Sequence, residues 1–104
     1  MTPQEADSTL AECRKKIDAI DLELVRLLSQ RANVVEDIVR VKNALEMSIF
    51  EPKREDAVFD NVTGNNPGPL ANDALQRIFA RIMDEMRGLQ WQIRHQQQEG
   101  RAAE

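Results

Sequence analysis

Leu10–Leu45 reads LAECRKKIDAIDLELVRLLSQRANVVEDIVRVKNAL, and its periodicity decides the fold. Leu10, Cys13, Ile17, Ile20, Leu24, Leu27, Arg31, Val34, Ile38, Val41 and Leu45 follow one another at spacings of three and four without a break. That is a heptad seam along one side of an α-helix. No Gly or Pro occurs between Gln4 and Glu51 to interrupt it. Thr9 followed by Glu12 reads as a capping box, which predicts a helix start there. Pro52 disfavours helical backbone at Glu51, so the helix is expected to end by about Met47 or Ser48. The alternative is a break near Arg31 into two shorter helices, for which the stretch holds no breaker.

Pro52 also suits the first turn of a second helix, where its missing N–H costs nothing. This helix carries Ala57, Val58, Phe59 and Val62 and is expected to stop near Thr63 and Gly64. Asn65-Asn66-Pro67-Gly68-Pro69 is dense turn chemistry. A third helix follows from Ala71 or Asn72, with the stripe Leu75, Ile78, Phe79, Ile82, Met83, Met86, Leu89 and Ile93. The expected class is all-α, with three helices per chain, one of them very long. Residues 1–8 are expected to be a flexible N-terminus, 9–94 the helical domain, and 95–104 a polar, frayed tail.

Composition agrees. The 104 residues suit one domain, and 31% charged with 4% aromatic residues fits helices better than sheets. A net charge of −4 argues against a nucleic-acid partner. The single cysteine, Cys13, cannot form an intramolecular disulfide; on the seam it reads as core. The N-terminal MTPQEADSTL lacks the pattern of a secretory signal, and no apolar run is long enough to span a bilayer. A soluble, cytoplasmic protein without a membrane partner is expected.

From Thr9 to Met47 the first helix would be about 58 Å long. A compact monomer of this size has a radius of gyration near 13 Å, hence a width of roughly 33 Å. The seam runs the whole length of the helix, and bare apolar surface on that scale is rarely left in water. The simplest cover is a second copy, so an intertwined helical homodimer is expected.

Several charges break the apolar pattern. Arg31 holds a seam position, where one polar residue can serve to fix register. A neighbouring stripe, Arg14, Ile17, Asp21, Leu24, Leu28, Arg31, Val35, Ile38 and Lys42, carries three cations. A buried Arg without a partner is costly. Arg31 and Lys42 lie about 16 Å apart along the axis, so their long side chains could converge on one small molecule. Arg14, about 25 Å from Arg31, could join them only from another chain. The stretch Phe50–Asp56, FEPKRED, follows Lys42 after a short loop. Its Arg54 would add a cation, and Glu51 and Glu55 would add acceptors for hydroxyl groups. Four cations (Arg14, Arg31, Lys42, Arg54) against two carboxylates leave a pocket suited to a dianion, and Arg grips carboxylates in a bidentate way. The plainer reading makes Arg54, Glu55 and their neighbours solvated charges at a helix start. Gln90, on the apolar side of the third helix, either donates into the pocket or sits at the edge of the core.

The ordered set Arg14-Lys-Lys-Ile-Asp-Ala-Ile-Asp21, Leu27-Leu-Ser-Gln-Arg31, Lys42, Pro52-Lys-Arg-Glu55, and Ile78-Phe79 through Gln90 resembles the all-helical (type II) class of chorismate mutase. The resemblance covers about Leu10 to Gln92. It implies a three-helix chain entwined as a homodimer, with Arg14 entering the partner's site to meet a substrate carboxylate. It implies that Arg31 binds a carboxylate, that Lys42 bridges a carboxylate and the ether oxygen, and that Gln90 donates to that oxygen. Glu55 and Glu51 would hold the ring hydroxyl, Arg54 would support the charged surroundings, and Ile38 and Ile82 would be apolar walls. Two positions depart from the family pattern: Glu51 stands where Asp is frequent, and Met86 where a small residue, often Ser, is common. A backbone amide at Met86 could still serve.

The implied reaction, chorismate to prephenate in the biosynthesis of phenylalanine and tyrosine, moves no proton and needs no covalent intermediate. It therefore calls for no metal and no cofactor. Cys13 and His95 do not look catalytic. Two alternatives stand: an isochorismate pyruvate-lyase on the same fold, and a non-catalytic helical module that regulates an enzyme of aromatic biosynthesis. A partner enzyme of the same pathway would fit either activity.

Overall fold

A computed structural model describes residues 1–103. It contains three helices, α1 (Pro3–Ala44), α2 (Pro52–Gly64) and α3 (Asn72–Ala103), and no strand among the described residues. The expected class is thus observed. α1 runs through Arg31 without a break.

The ends of the helices differ from expectation in ways that have local causes. α1 starts at Pro3, not at Thr9, so most of residues 1–8 is helical. The start is set by an earlier capping motif, Thr2-Pro3-Gln4-Glu5. The Glu5 N–H donates to Thr2 Oγ1 at 3.1 Å, and Pro3 occupies the first helical position. At the other end, the Met47 N–H donates to the Lys42 carbonyl (2.8 Å) and the Glu46 N–H to the Asn43 carbonyl (3.3 Å). These are the two bonds of a Schellman motif. It requires a left-handed residue, and Glu46 takes that place with φ 55°. Helix thus stops at Ala44, short of Met47. α3 continues to Ala103, so the tail from His95 is helical where fraying was expected. Gln, Glu, Arg and Ala are all good helix formers. Arg94 and Gln97 also bind back to Asn43, as described below. Glu104 lies outside the described residues.

The chain divides into two compact units, Met1–Asn33 and Val34–Glu104. The first is helical from Pro3 onward, and every residue in it is exposed except Arg31 and Ala32, which are half-buried. Its seam, Leu10, Ile17, Ile20, Leu24 and Leu27, is uncovered. Cys13, on the same seam, is exposed in the single chain.

The second unit holds the core. α2 packs on α3, and Val35, Val39, Ile49, Val58 and Met83 are buried together with two polar side chains, Lys42 and Gln90. The turn between α2 and α3 is organised by Asn66. Its side chain accepts from the Gly68 N–H (3.0 Å) and donates to the Leu70 carbonyl (2.7 Å) and to Asn72 Oδ1 (2.8 Å). Gly68 has φ 70°, a conformation that side chains disfavour.

Gly88 lies inside α3, and a Cβ added there would meet nothing within 4 Å. Nothing among the described residues requires a glycine there. Gly88→Ala should therefore stabilise the protein by about 1 kcal/mol, the helix-propensity difference, and thermal melting should show a rise of a few degrees. A fall in Tm would mark Gly88 as a point where another chain approaches closely.

Candidate functional site

The site is built around a lysine that the fold buries. Lys42 lies in the last turn of α1 and is 6% exposed. Withdrawing an ammonium from water costs several kcal/mol, so its partners must be close and well aimed. Three are. Lys42 Nζ donates to the Ile49 carbonyl at 2.8 Å and to Gln90 Oε1 at 2.9 Å, and it lies 3.2 Å from Glu51 Oε1. An ammonium has three N–H groups, so all are used. A ligand that reaches Nζ must displace one acceptor. Glu51 is the most distant of the three, and its side chain is a third exposed.

Each partner is placed by a different element. Ile49 is fully buried, and its burial fixes the loop that presents its carbonyl. Arg94 secures the same loop from α3: its Nη2 donates to the Met47 carbonyl at 2.9 Å, and its Nε donates to Asn43 Oδ1 at 2.6 Å. Asn43 Nδ2 in turn donates to Gln97 Oε1. Gln90 is 7% exposed, one of two buried polar side chains among the described residues, so it belongs to the core rather than its edge. Because Lys42 can only donate, it faces the amide oxygen, and Nε2 is left as the donor that Gln90 can offer elsewhere.

Glu51 is the N-cap residue of α2, yet its side chain makes no capping bond. It reaches Lys42 instead. Glu55 is in the first turn of α2, and its Oε2 accepts from Arg87 Nε on α3 at 2.7 Å. Both glutamates of FEPKRED thus bind across to other helices, whereas Lys53, Arg54 and Asp56 are exposed. The two readings of that stretch divide by residue. Met86 is half-buried. Arg14 is exposed and Arg31 half-buried, both in the unit Met1–Asn33. The fold therefore gathers Lys42, Glu51 and Gln90 within the second unit, with Glu55 joined to Arg87.

Beside Lys42 and Glu51 lies an open, largely apolar cavity of about 260 Å³, lined also by Val34, Asp37, Ile38, Val41 and Met47. Ile38, expected as an apolar wall, is among them.

The sequence model of the family described as chorismate mutase type II matches residues 13–91. The chain belongs to the chorismate mutase type II family. Among its relatives is a bifunctional chorismate mutase/prephenate dehydratase from Neisseria gonorrhoeae, 35% identical over 82 residues, covering 79% of this chain and 22% of that protein. The chain spans about a quarter or less of such bifunctional relatives. Among solved structures, a chorismate mutase from Thermus thermophilus (form II) superposes with a TM-score of 0.77 at 30% identity, covering 79% of this chain and 93% of that one. A chorismate mutase from Helicobacter pylori, solved in complex with prephenate, gives a TM-score of 0.77 at 28% identity over 83% and 93% of the two chains.

Sequence reasoning missed three features of the site. The Ile49 carbonyl is backbone and carries no sequence signature. Arg94 lay in the stretch taken as the end of the domain. Arg87 was detectable: four residues after Met83 and three before Gln90, it puts a cation on the stripe that carries the buried residues.

Proposed function

We propose that this chain catalyses the rearrangement of chorismate to prephenate, a step toward phenylalanine and tyrosine. The observation that carries this reading is the buried Lys42–Gln90 pair in a chain of the chorismate mutase type II family. In the reaction a carbon–oxygen bond breaks as a carbon–carbon bond forms within one molecule, and negative charge develops on the departing ether oxygen. Lys42 Nζ and Gln90 Nε2 would meet that oxygen as donors already fixed by their burial. Preorganised donors of this kind act on the transition state more than on the ground state.

The remaining roles are part of the same proposal. Arg31, Lys42 and Arg14 hold the two carboxylates and keep the substrate folded with its reacting ends together, which lowers the entropic part of the barrier. Glu51 and Glu55 hold the ring hydroxyl, whose single O–H donates to Glu55. Arg54 adds positive charge at the rim, and the backbone amide at Met86 replaces the side-chain contact of a smaller residue. The roles of Arg14 and Arg31 rest on the sequence motif.

The functional unit of this proposal is a homodimer, with Arg14 donated across the interface. The uncovered seam of Met1–Asn33 supports it, since a helical stretch with no buried residue cannot hold its fold by packing of its own. The proposal also puts the enzyme in the cytoplasm. No helix is long and apolar enough to cross a membrane among the described residues.

The direct test is to mix pure protein with chorismate, without metal or cofactor, and to follow its loss while identifying the product. Prephenate is expected. In a parallel assay with isochorismate, release of salicylate and pyruvate would support the lyase instead, and no turnover of either substrate would leave a binding module. Gln90→Ala should lower kcat more than it raises KM, because its amide N–H acts mainly on the charge that develops in the transition state. A pure KM effect in steady-state kinetics would restrict Gln90 to binding.

A further inference from the structure

Two bridges join the helices of the second unit, one turn apart. Glu51 and Glu55 are four residues apart at the start of α2, and Arg87 and Gln90 are three apart on α3. Residues at these spacings are neighbours on a helix surface. The first bridge is Gln90–Lys42–Glu51, and the second is Arg87–Glu55.

The Arg87 guanidinium is held on three sides. Its Nε donates to Glu55 Oε2 at 2.7 Å, its Nη2 donates to Asp84 Oδ1, and its central carbon lies 5.5 Å from the centroid of the Phe50 ring. A guanidinium over an aromatic face is attracted by the ring quadrupole. Three differently directed contacts leave it little freedom to turn.

Glu55 needs such a partner. Its side chain is only a fifth exposed, and Glu51 brings a like charge one helical turn away. Arg87 engages one of the two Glu55 oxygens, Oε2, which leaves Oε1 for other donors. Burial alone would lower the affinity of Arg87 for its proton, but the hydrogen bonds and charges of Glu55 and Asp84 outweigh it and raise the pKa above the usual value.

We infer that Arg87 is a positioning residue for substrate recognition: by gripping Glu55 Oε2 it aims Oε1 at the ring hydroxyl. The inference rests on the proposed chorismate mutase activity and extends it to a residue that contacts Glu55 rather than the substrate. The consequence is selective. Loss of Arg87 weakens recognition of the hydroxyl and leaves the rest of the substrate's contacts in place.

The experiment compares chorismate with an analogue that lacks the ring hydroxyl, the latter measured as a competitive inhibitor. Against the wild type, Arg87→Met should raise KM for chorismate about tenfold or more, the usual worth of a hydrogen bond to a charged group. Its inhibition constant for the hydroxyl-free analogue should stay within about twofold, since that ligand never used Glu55. Arg87→Lys should recover part of the loss, and Arg87→Met should add nothing in a Glu55→Ala background. Arg87→Gln carries the same comparison should the Met variant fail to fold. Equal weakening toward both ligands would mean that Arg87 only supports the fold, and unchanged KM would remove it from recognition altogether. Both outcomes leave the activity itself standing. Wild-type protein that does not consume chorismate sinks the activity and this role together.

Discussion

A Lys42→Ala protein should rearrange chorismate about 10²- to 10³-fold more slowly than the wild type, the usual effect of deleting one preorganised donor at a developing oxyanion. Two features of the structure make this the largest single-site effect. Lys42 meets Gln90 directly, so its removal also frees the amide whose orientation it sets. It is buried, so water cannot readily take its place with comparable aim. The substitution has a structural cost as well. The Ile49 carbonyl and Gln90 Oε1 lose their donor, and an unsatisfied buried polar group costs about 1–3 kcal/mol. A domain of this kind is stable by roughly 5–15 kcal/mol, so the variant should remain folded while melting at a lower temperature. Circular dichroism and thermal melting, run beside the kinetic assay, separate the two effects. A folded Lys42→Ala protein with turnover near that of the wild type would overturn the assignment of Lys42 to the reacting oxygen.

How far the sequence foretold this site depends on the kind of signal each residue leaves. Lys42 and Gln90 stood out because a polar side chain on an apolar stripe is either paired or costly, and both prove to be buried and paired with each other. Arg87 obeys the same logic. It was overlooked because the stripe on α3 was followed through its apolar members alone. The start of α2 was legible because Pro52 fixes backbone geometry at one residue. The end of α1 was not, because the left-handed position fell on Glu46, and nothing in a glutamate announces that conformation. The true start of α1 was in plain view in Thr2-Pro3-Gln4-Glu5, a stronger signal than Thr9 because proline follows the capping threonine. FEPKRED illustrates a different limit. Charges at a helix start are equally good as solvated caps and as ligands, and only the observed partners of Glu51 and Glu55 divide the stretch between the two.

Arg14→Ala and Lys42→Ala proteins, each nearly inactive alone, should recover activity when refolded together. The proposed homodimer makes this a matter of counting. If Arg14 acts in the site of the other subunit, a mixed dimer carries one site with both residues intact and one site with both missing. Random pairing makes half of the dimers mixed, so the mixture should reach about one quarter of the wild-type activity per site. If Arg14 acted within its own chain, each site of a mixed dimer would lack one of the two residues, and mixing would restore nothing. The exposed seam explains why refolding is required. Leu10, Ile17, Ile20, Leu24 and Leu27 are all uncovered in the single chain, so a partner that covers them would be exchanged only slowly between folded dimers. Sedimentation of the wild type should accordingly give twice the chain mass. A monomer in that measurement would remove the proposed role of Arg14, and activity from mixed variants that never exceeds the sum of the two alone would place Arg14 outside the shared site even in a dimer.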